Sequence, residues 1–154
     1  MDELKLNSVE EPTSLQYIVV NIGNEQYGIN IKYIDNIVRI QRITRVPKTQ
    51  PYYKGVINLR GEIIPVMSIR IKLGLEDDVF TDKSRIIIVK VENASIGIIV
   101  DQVKEVVTLD EANIENLATD VNDEFSGYIN AIGKSKGELI TLLDIIGIIV
   151  EKEN

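Results

Sequence analysis

Two stretches of this chain read as copies of each other, which restricts the fold to one built from a repeated unit. Residues 17–40, YIVVNIGNEQYGINIKYIDNIVRI, align without a gap on residues 86–109, IIIVKVENASIGIIVDQVKEVVTL, at a shift of 69. Tyr27-Gly28-Ile29 falls on Ile96-Gly97-Ile98, and Ile34, Ile37 and Val38 fall on Val103, Val106 and Val107. Farther on, Gly55-Val56-Ile57-Asn58 aligns with Gly127-Tyr128-Ile129-Asn130. Glu62-Ile63-Ile64 then meets Glu138-Leu139-Ile140 after a short insertion holding Lys134-Ser135-Lys136. A unit of about 70 residues stated twice implies two similar modules side by side, with a groove between them.

The unit is written in β-strand language. Leu15–Ile22, the turn Gly23-Asn24 and Gln26–Ile31 form a hairpin, and the Ile and Val content of 32–40 favours a further strand. Gly55–Leu59, the turn Arg60-Gly61 and Glu62–Met67 form a second hairpin, after which Ser68 caps a short helix over 69–73 that Gly74 ends. The second copy repeats the plan with strands near 85–91, 95–100 and 103–109. An acidic loop over 110–124 and the hairpin 127–132/138–143 follow, and Asp144 is placed to cap a C-terminal helix. Many short strands with glycine turns and little helix predict an all-β chain of two five-stranded barrels, since closing each sheet removes aggregation-prone edges. The expected organisation is a flexible tail over 1–13, a first barrel over 14–75, a linker over 76–84 and a second barrel over 85–154. A strand is free to cross and complete the neighbouring barrel.

Composition narrows the function. With no Cys and no His, the chain lacks a thiolate nucleophile, the commonest general base and the commonest transition-metal ligand. It is therefore read as non-enzymatic, with no metal and no cofactor. The acidic N-terminus is neither a signal nor a transit peptide, and the longest apolar run, Leu139–Val150, is too short to span a bilayer. A cytoplasmic protein is the expectation. The net charge of −7 hides a contrast: −3 over residues 1–12, +6 over 13–75 and −10 over 76–154. Such polarity steers and orients protein partners.

The most distinctive local feature is Gly55-Val56-Ile57-Asn58-Leu59-Arg60-Gly61-Glu62-Ile63-Ile64-Pro65-Val66, a hairpin with a guanidinium at its tip. That planar fork suits a carboxylate or a backbone carbonyl, of a partner or of its own loop. The alignment puts Ile132 opposite Arg60, so the cation reads as peculiar to the first copy.

The stretch Tyr53–Arg70, YKGVINLRGEIIPVMSIR, with Gln26–Ile31 before it and Val100-Asp101-Gln102-Val103 in the second copy, resembles the CheW-type coupling proteins of bacterial chemotaxis. The likeness runs from about Ser14 to Val150. It implies two pseudo-symmetric, five-stranded SH3-like β-barrels packed on a shared apolar layer, with short helical segments. It also implies a cytoplasmic adaptor, recruited to membrane receptor arrays, that joins chemoreceptor signalling tips to the regulatory domain of a histidine kinase. On that likeness Ile34, Asn36, Ile37, Arg39, Gly55, Asn58 and Arg60 face the receptor, one of Ile34 and Ile37 being core and the other exposed. Asn36 departs from the family, many members of which carry Glu there. Val100, Val103, Val106 and exposed residues near Gly55 are candidates for the kinase face.

Competing readings fare worse. The basic set Arg39, Arg42, Arg45, Lys48 and Lys54 would suit nucleic acid on a small barrel, making the chain a duplicated binding module for a ligand or an RNA. Only 5% of residues are aromatic, however, and the other half is acidic. Gly133-Lys134-Ser135 lacks the upstream glycine of a phosphate loop and lies between strands. The carboxylates of 110–124 lack the spacing of a calcium loop.

Overall fold

The runs Tyr17–Val20 and Ile86–Val89 have no polar alternation, which requires strands buried on both faces; the computed structural model buries every one of these residues. It describes residues 14–117 and 126–150, so the tail expected over 1–13 and part of the acidic loop lie outside the described residues. Within them the chain forms β1 (Ser14–Ile22), β2 (Glu25–Asn30), β3 (Ile34–Arg39), β4 (Tyr53–Leu59) and β5 (Glu62–Ser68). After helix α1 (Ile69–Lys72) come β6 (Arg85–Val91), β7 (Ala94–Val100), β8 (Gln102–Asp110) and β9 (Ile114–Asn116). The chain continues through β10 (Ile129–Ser135), β11 (Glu138–Leu143) and α2 (Ile145–Ile149). β9 falls inside the segment read from sequence as a loop; three residues at Ile-Glu-Asn leave too short a pattern to recognise.

The strands form two sheets, ordered β8-β1-β2-β11-β10-β9 and β3-β6-β7-β5-β4. Neither sheet follows the sequence halves 14–75 and 85–154. The first takes β1 and β2 from the first copy and the rest from the second; the other takes β6 and β7 from the second copy and the rest from the first. The exchange is reciprocal, so the two orders superpose strand for strand. The sixth strand, β9, has as its counterpart only the bridge between Thr44 and Val56. The halves join through four pairings: antiparallel β1 with β8 and β3 with β6, and parallel β2 with β11 at Tyr27–Thr141 and β5 with β7 at Val66–Gly97. Gly28 and Gly97 sit at the parallel junctions. A Cβ there would lie 2.8 Å from Leu142 Cδ2 or 2.7 Å from Ile86 Cγ2, which is why both copies carry glycine before Ile.

Alternate residues of β1 and β6 feed different cores. Tyr17 and Val19 pack inside one barrel with Val107, Leu109 and Leu142; Ile86 and Ile88 pack inside the other with Ile57, Ile64 and Ile99. Ile18, Val20, Ile87 and Val89 face a third cluster, shared between the barrels and closed by Ile69, Ile145 and Ile148 of the helices. Each helix starts on a side-chain cap: Ser68 Oγ accepts from the Ile71 N–H (3.1 Å) and Asp144 Oδ1 from the Gly147 N–H (3.0 Å).

The geometry revises the alignment of the second hairpin. The β4–β5 turn is Arg60-Gly61 (φ 55° and 86°), and the β10–β11 turn is Lys136-Gly137 (φ 54° and 79°). Irregularities fall between Tyr53 and Gly55 in β4 and between Ile129 and Ala131 in β10. The N–H groups of Ser68 and Asp144 donate to the carbonyls of Tyr52 (2.7 Å) and Tyr128 (2.8 Å). All of these match at a shift of 76. The resemblance of GVIN to GYIN at a shift of 72 is a coincidence of letters, since bulge and turn, which fix the register, fall elsewhere. The counterpart of Arg60 is Lys136, and Ile132, paired with Thr141, is the counterpart of Val56, paired with Pro65.

Candidate functional site

Arg60 stands exposed at the tip of the β4–β5 hairpin in a left-handed conformation. The turn is built by Asn58, whose Oδ1 accepts from the Gly61 N–H at 3.0 Å, a side-chain mimic of a backbone turn. Among the described residues no hydrogen bond or ion pair ties the guanidinium to its own fold. Beside it Ile63, the cross-strand partner of Asn58, is 59% exposed. The second barrel repeats the pair as Lys136 and Leu139, the latter 60% exposed. Sequence reasoning passed over Ile63 and Leu139, although strand alternation from the buried Ile64 and Ile140 points both outward.

Ile34 and Ile37 both prove half-buried and packed against the shared cluster, which corrects the expectation of one core and one exposed residue. A bulge between Ile34 and Asn36, opposite Val89 and Ile88, resets the alternation so that both side chains turn inward. Asn36, half-buried, has its Oδ1 folded back to accept from the Ile37 N–H (2.8 Å), and Arg39 is exposed at the strand's end. Gly55 is buried with φ 140°, and a Cβ would stand 2.1 Å from the Thr44 carbonyl oxygen. Its role is to let residues 43–45 lie against β4, where Thr44 and Val56 exchange two 2.8 Å backbone hydrogen bonds. Beside it opens an apolar depression of about 220 Å³, lined by Val46, Thr49, Tyr53, Gly55, Val56 and Pro65.

Of the valines considered for a second face, Val100 is fully buried in the shared cluster and offers no surface, because it continues the inward series of Ile96 and Ile98. Val103 is partly buried against the same cluster, and Val106 is 55% exposed. The basic residues Arg39, Arg42, Arg45 and Lys48 are exposed, whereas Lys54 is held by both oxygens of Asp77 at 2.8 and 3.1 Å.

Two residues quoted only as parts of motifs, Arg70 and Asp101, meet at the barrel junction. Arg70 grips Asp101 with two bonds, Nε to Oδ1 (3.1 Å) and Nη2 to Oδ2 (2.7 Å), while the Gly23 N–H donates to Oδ2 at 2.8 Å. Partial burial works against the Asp101 charge, but the bonds from Arg70 and Gly23 hold its carboxyl below the usual 3.8. The clamp ties α1 to the β7–β8 corner and to the β1–β2 turn. Nearby, Lys72 Nζ lies 3.8 Å from the ring centre of Tyr52 and 5.5 Å from that of its counterpart Tyr128, bridging the copies by cation–π attraction.

Two interlocked SH3-like barrels, each with a cation beside an exposed aliphatic residue at one hairpin tip and with an apolar layer between them, define a scaffold made of surfaces. The CheW-like domain model matches residues 16–153, and the chain belongs to that family. The chemotaxis protein CheW of Bacillus subtilis (strain 168) is 33% identical over 147 residues, covering 96% of this chain and 94% of that protein. The CheW of Thermotoga maritima is 35% identical over 130 residues, 84% of each. Among solved structures, the crystal structure of the scaffolding protein TtCheW from Thermoanaerobacter tengcongensis is similar with a TM-score of 0.75 and 32% identity. It covers 84% of this chain and 88% of that one. Scaffolding in chemotaxis is therefore the class of work this chain does.

Proposed function

We propose that the chain is a non-catalytic adaptor which holds a histidine kinase, through its regulatory domain, against the cytoplasmic tips of chemoreceptors. It is a cytoplasmic protein drawn to membrane receptor arrays by those contacts; among the described residues no helix is long and apolar enough to cross a membrane. The observation that carries the reading is Arg60: an exposed cation on a hairpin tip whose turn Asn58 fixes, without a partner among the described residues, inside the motif that carries the resemblance to the coupling proteins. The receptor face is assigned to Arg60, Asn58 and Arg39, with Ile34, Asn36 and Ile37 forming the strand behind them and Gly55 shaping the backbone. The kinase face is assigned to Val106 with Val103, and to the depression beside Gly55. Specific interfaces of this kind bury on the order of 800 Å² per partner, and weaker ones are strengthened by repetition in an array.

Arg60→Ala tests the reading. The variant is expected to keep its melting temperature while losing receptor-dependent control of kinase activity. A large drop in melting temperature with normal activation would overturn it. The exposed Arg39, Arg42, Arg45 and Lys48 favour a second reading, a nucleic-acid-binding module. Capture of the kinase regulatory domain, set against binding of an oligonucleotide, separates the two. Salt-sensitive oligonucleotide binding without kinase binding would replace the adaptor reading.

A further inference from the structure

The internal symmetry supplies a control for Arg60 that the chain carries within itself. In the second barrel the tip cation is not free: Lys136 Nζ lies 3.5 Å from Glu105 Oε1. Glu105 sits on β8 immediately after that strand's irregularity, which separates Val103 from Glu105 opposite Val20 and Val19. In β3 the equivalent irregularity separates Ile34 from Asn36. The counterparts of Lys136 and Glu105 are therefore Arg60 and Asn36. One copy pairs the cation with a carboxylate, and at the carboxylate's register position the other copy carries an amide whose oxygen is already taken by the Ile37 N–H.

We infer that Asn36 is a specificity-determining residue: by withholding the internal carboxylate that Glu105 gives Lys136, it leaves Arg60 to take a carboxylate from the partner docked on the first barrel. This rests on the reading of that barrel as the receptor face. Arg60 presents a fork of donors on a turn fixed by Asn58, so it is preorganised for a two-oxygen acceptor. A guanidinium with no acid of its own attracts an acidic side chain and repels a basic one, which makes the pairing selective as well as attractive. The flank is apolar, with Ile63 exposed beside the charge. The partner surface that fits is an Asp or Glu bordered by aliphatic side chains.

Two measurements test this. In the free protein, a double-mutant cycle between Asn36→Glu and Arg60→Gln, with Asn36→Gln as the neutral reference, is expected to show salt-sensitive coupling in thermal stability. The Glu105→Gln/Lys136→Gln cycle serves as its yardstick. Zero coupling in the first beside measurable coupling in the second would overturn the symmetry argument. With a soluble chemoreceptor signalling-tip fragment as probe, Asn36→Glu is expected to bind roughly fivefold more weakly than Asn36→Gln, which alters the same side chain without adding a charge. Neutralising the fragment's acidic positions singly should reveal one whose loss is not additive with Arg60→Gln. Equal binding by Asn36→Glu and Asn36→Gln, or additivity at every acidic position, would overturn the partner carboxylate while leaving the receptor reading intact. Failure of the wild type to bind the fragment would overturn the receptor reading, and the partner carboxylate with it.

Discussion

Arg60 and Gly55 are five residues apart in one motif, yet they answer to different physics. The first is displayed and replaceable in the fold; the second lies where no side chain fits. Gly55→Ala would push a Cβ to 2.1 Å from the Thr44 carbonyl oxygen at a backbone angle that L-residues rarely adopt. It is expected to cost about 3 kcal/mol or more and to detach residues 43–45, read as a lowered melting temperature and faster amide exchange at Thr44 and Val56. An unchanged melting temperature would show that the segment is dispensable. The motif was legible in the sequence, but this division of labour was not, because it depends on what lies across the strand. The same holds for Arg60 itself. Matching letters placed it opposite Ile132, whereas bulges and turns place it opposite Lys136.

Between elements, two carboxyls of opposite behaviour fasten the first barrel's flank. Asp101, clamped by Arg70, is held below 3.8 and so contributes stability that is present above that pH and lost as pH falls through its folded value. Asp78 is raised by burial, against the bond it accepts from Ser68 Oγ at 2.6 Å, and its buried Oδ1 has no hydrogen-bond partner among the described residues. A raised carboxyl stabilises the fold in its protonated form, so its contribution is full below 3.8 and is lost as pH rises through the folded value. Asp101→Asn is expected to lose about 1–3 kcal/mol at neutral pH and to flatten the acid limb of the stability profile. Asp78→Asn is expected to be neutral or stabilising at neutral pH and to lose its advantage in acid. Urea titrations between pH 3 and 8 read both, and an Asp101→Asn acid limb as steep as wild type would reject the assignment. The hairpins and helix caps could be read from turn and cap residues. The Arg70–Asp101 clamp could not, since it joins positions 31 residues apart that only the parallel β5–β7 pairing brings together.

At the level of the whole molecule, the reciprocal exchange makes the sequence halves poor units. The duplication announced two barrels correctly, but a repeat in sequence specifies similar strands and not which copy each strand will join. Ile-rich strands of either copy suit either sheet, and the pairing adopted puts Ile18, Val20, Ile87 and Val89 of both copies into one shared cluster. A fragment spanning 14–75 lacks the neighbours of β1 and β2, and one spanning 85–150 lacks those of β6 and β7 on one side. Each fragment alone is expected to be unfolded by circular dichroism, and the two together to regain native structure. Independent folding of either would mean that the exchange is optional. The charge contrast survives it: residues 34–100, which supply one barrel, still carry eleven basic against seven acidic side chains.

The exchange also sets the timing of folding. β1 must find β8, and β2 must find β11, where Tyr27 waits for Thr141. An emerging chain thus exposes an apolar hairpin, with Ile18, Val19, Val20 and Ile29 among its core residues, until nearly the last strand has left the ribosome. Contacts so distant in sequence make folding slow and leave nascent strands open to misassembly. Production of this scaffold should therefore depend on chaperone supply more than its modest length suggests. The interlock that makes the two barrels one body in the finished molecule is, during synthesis, a period of exposure that no shorter piece of the chain can end.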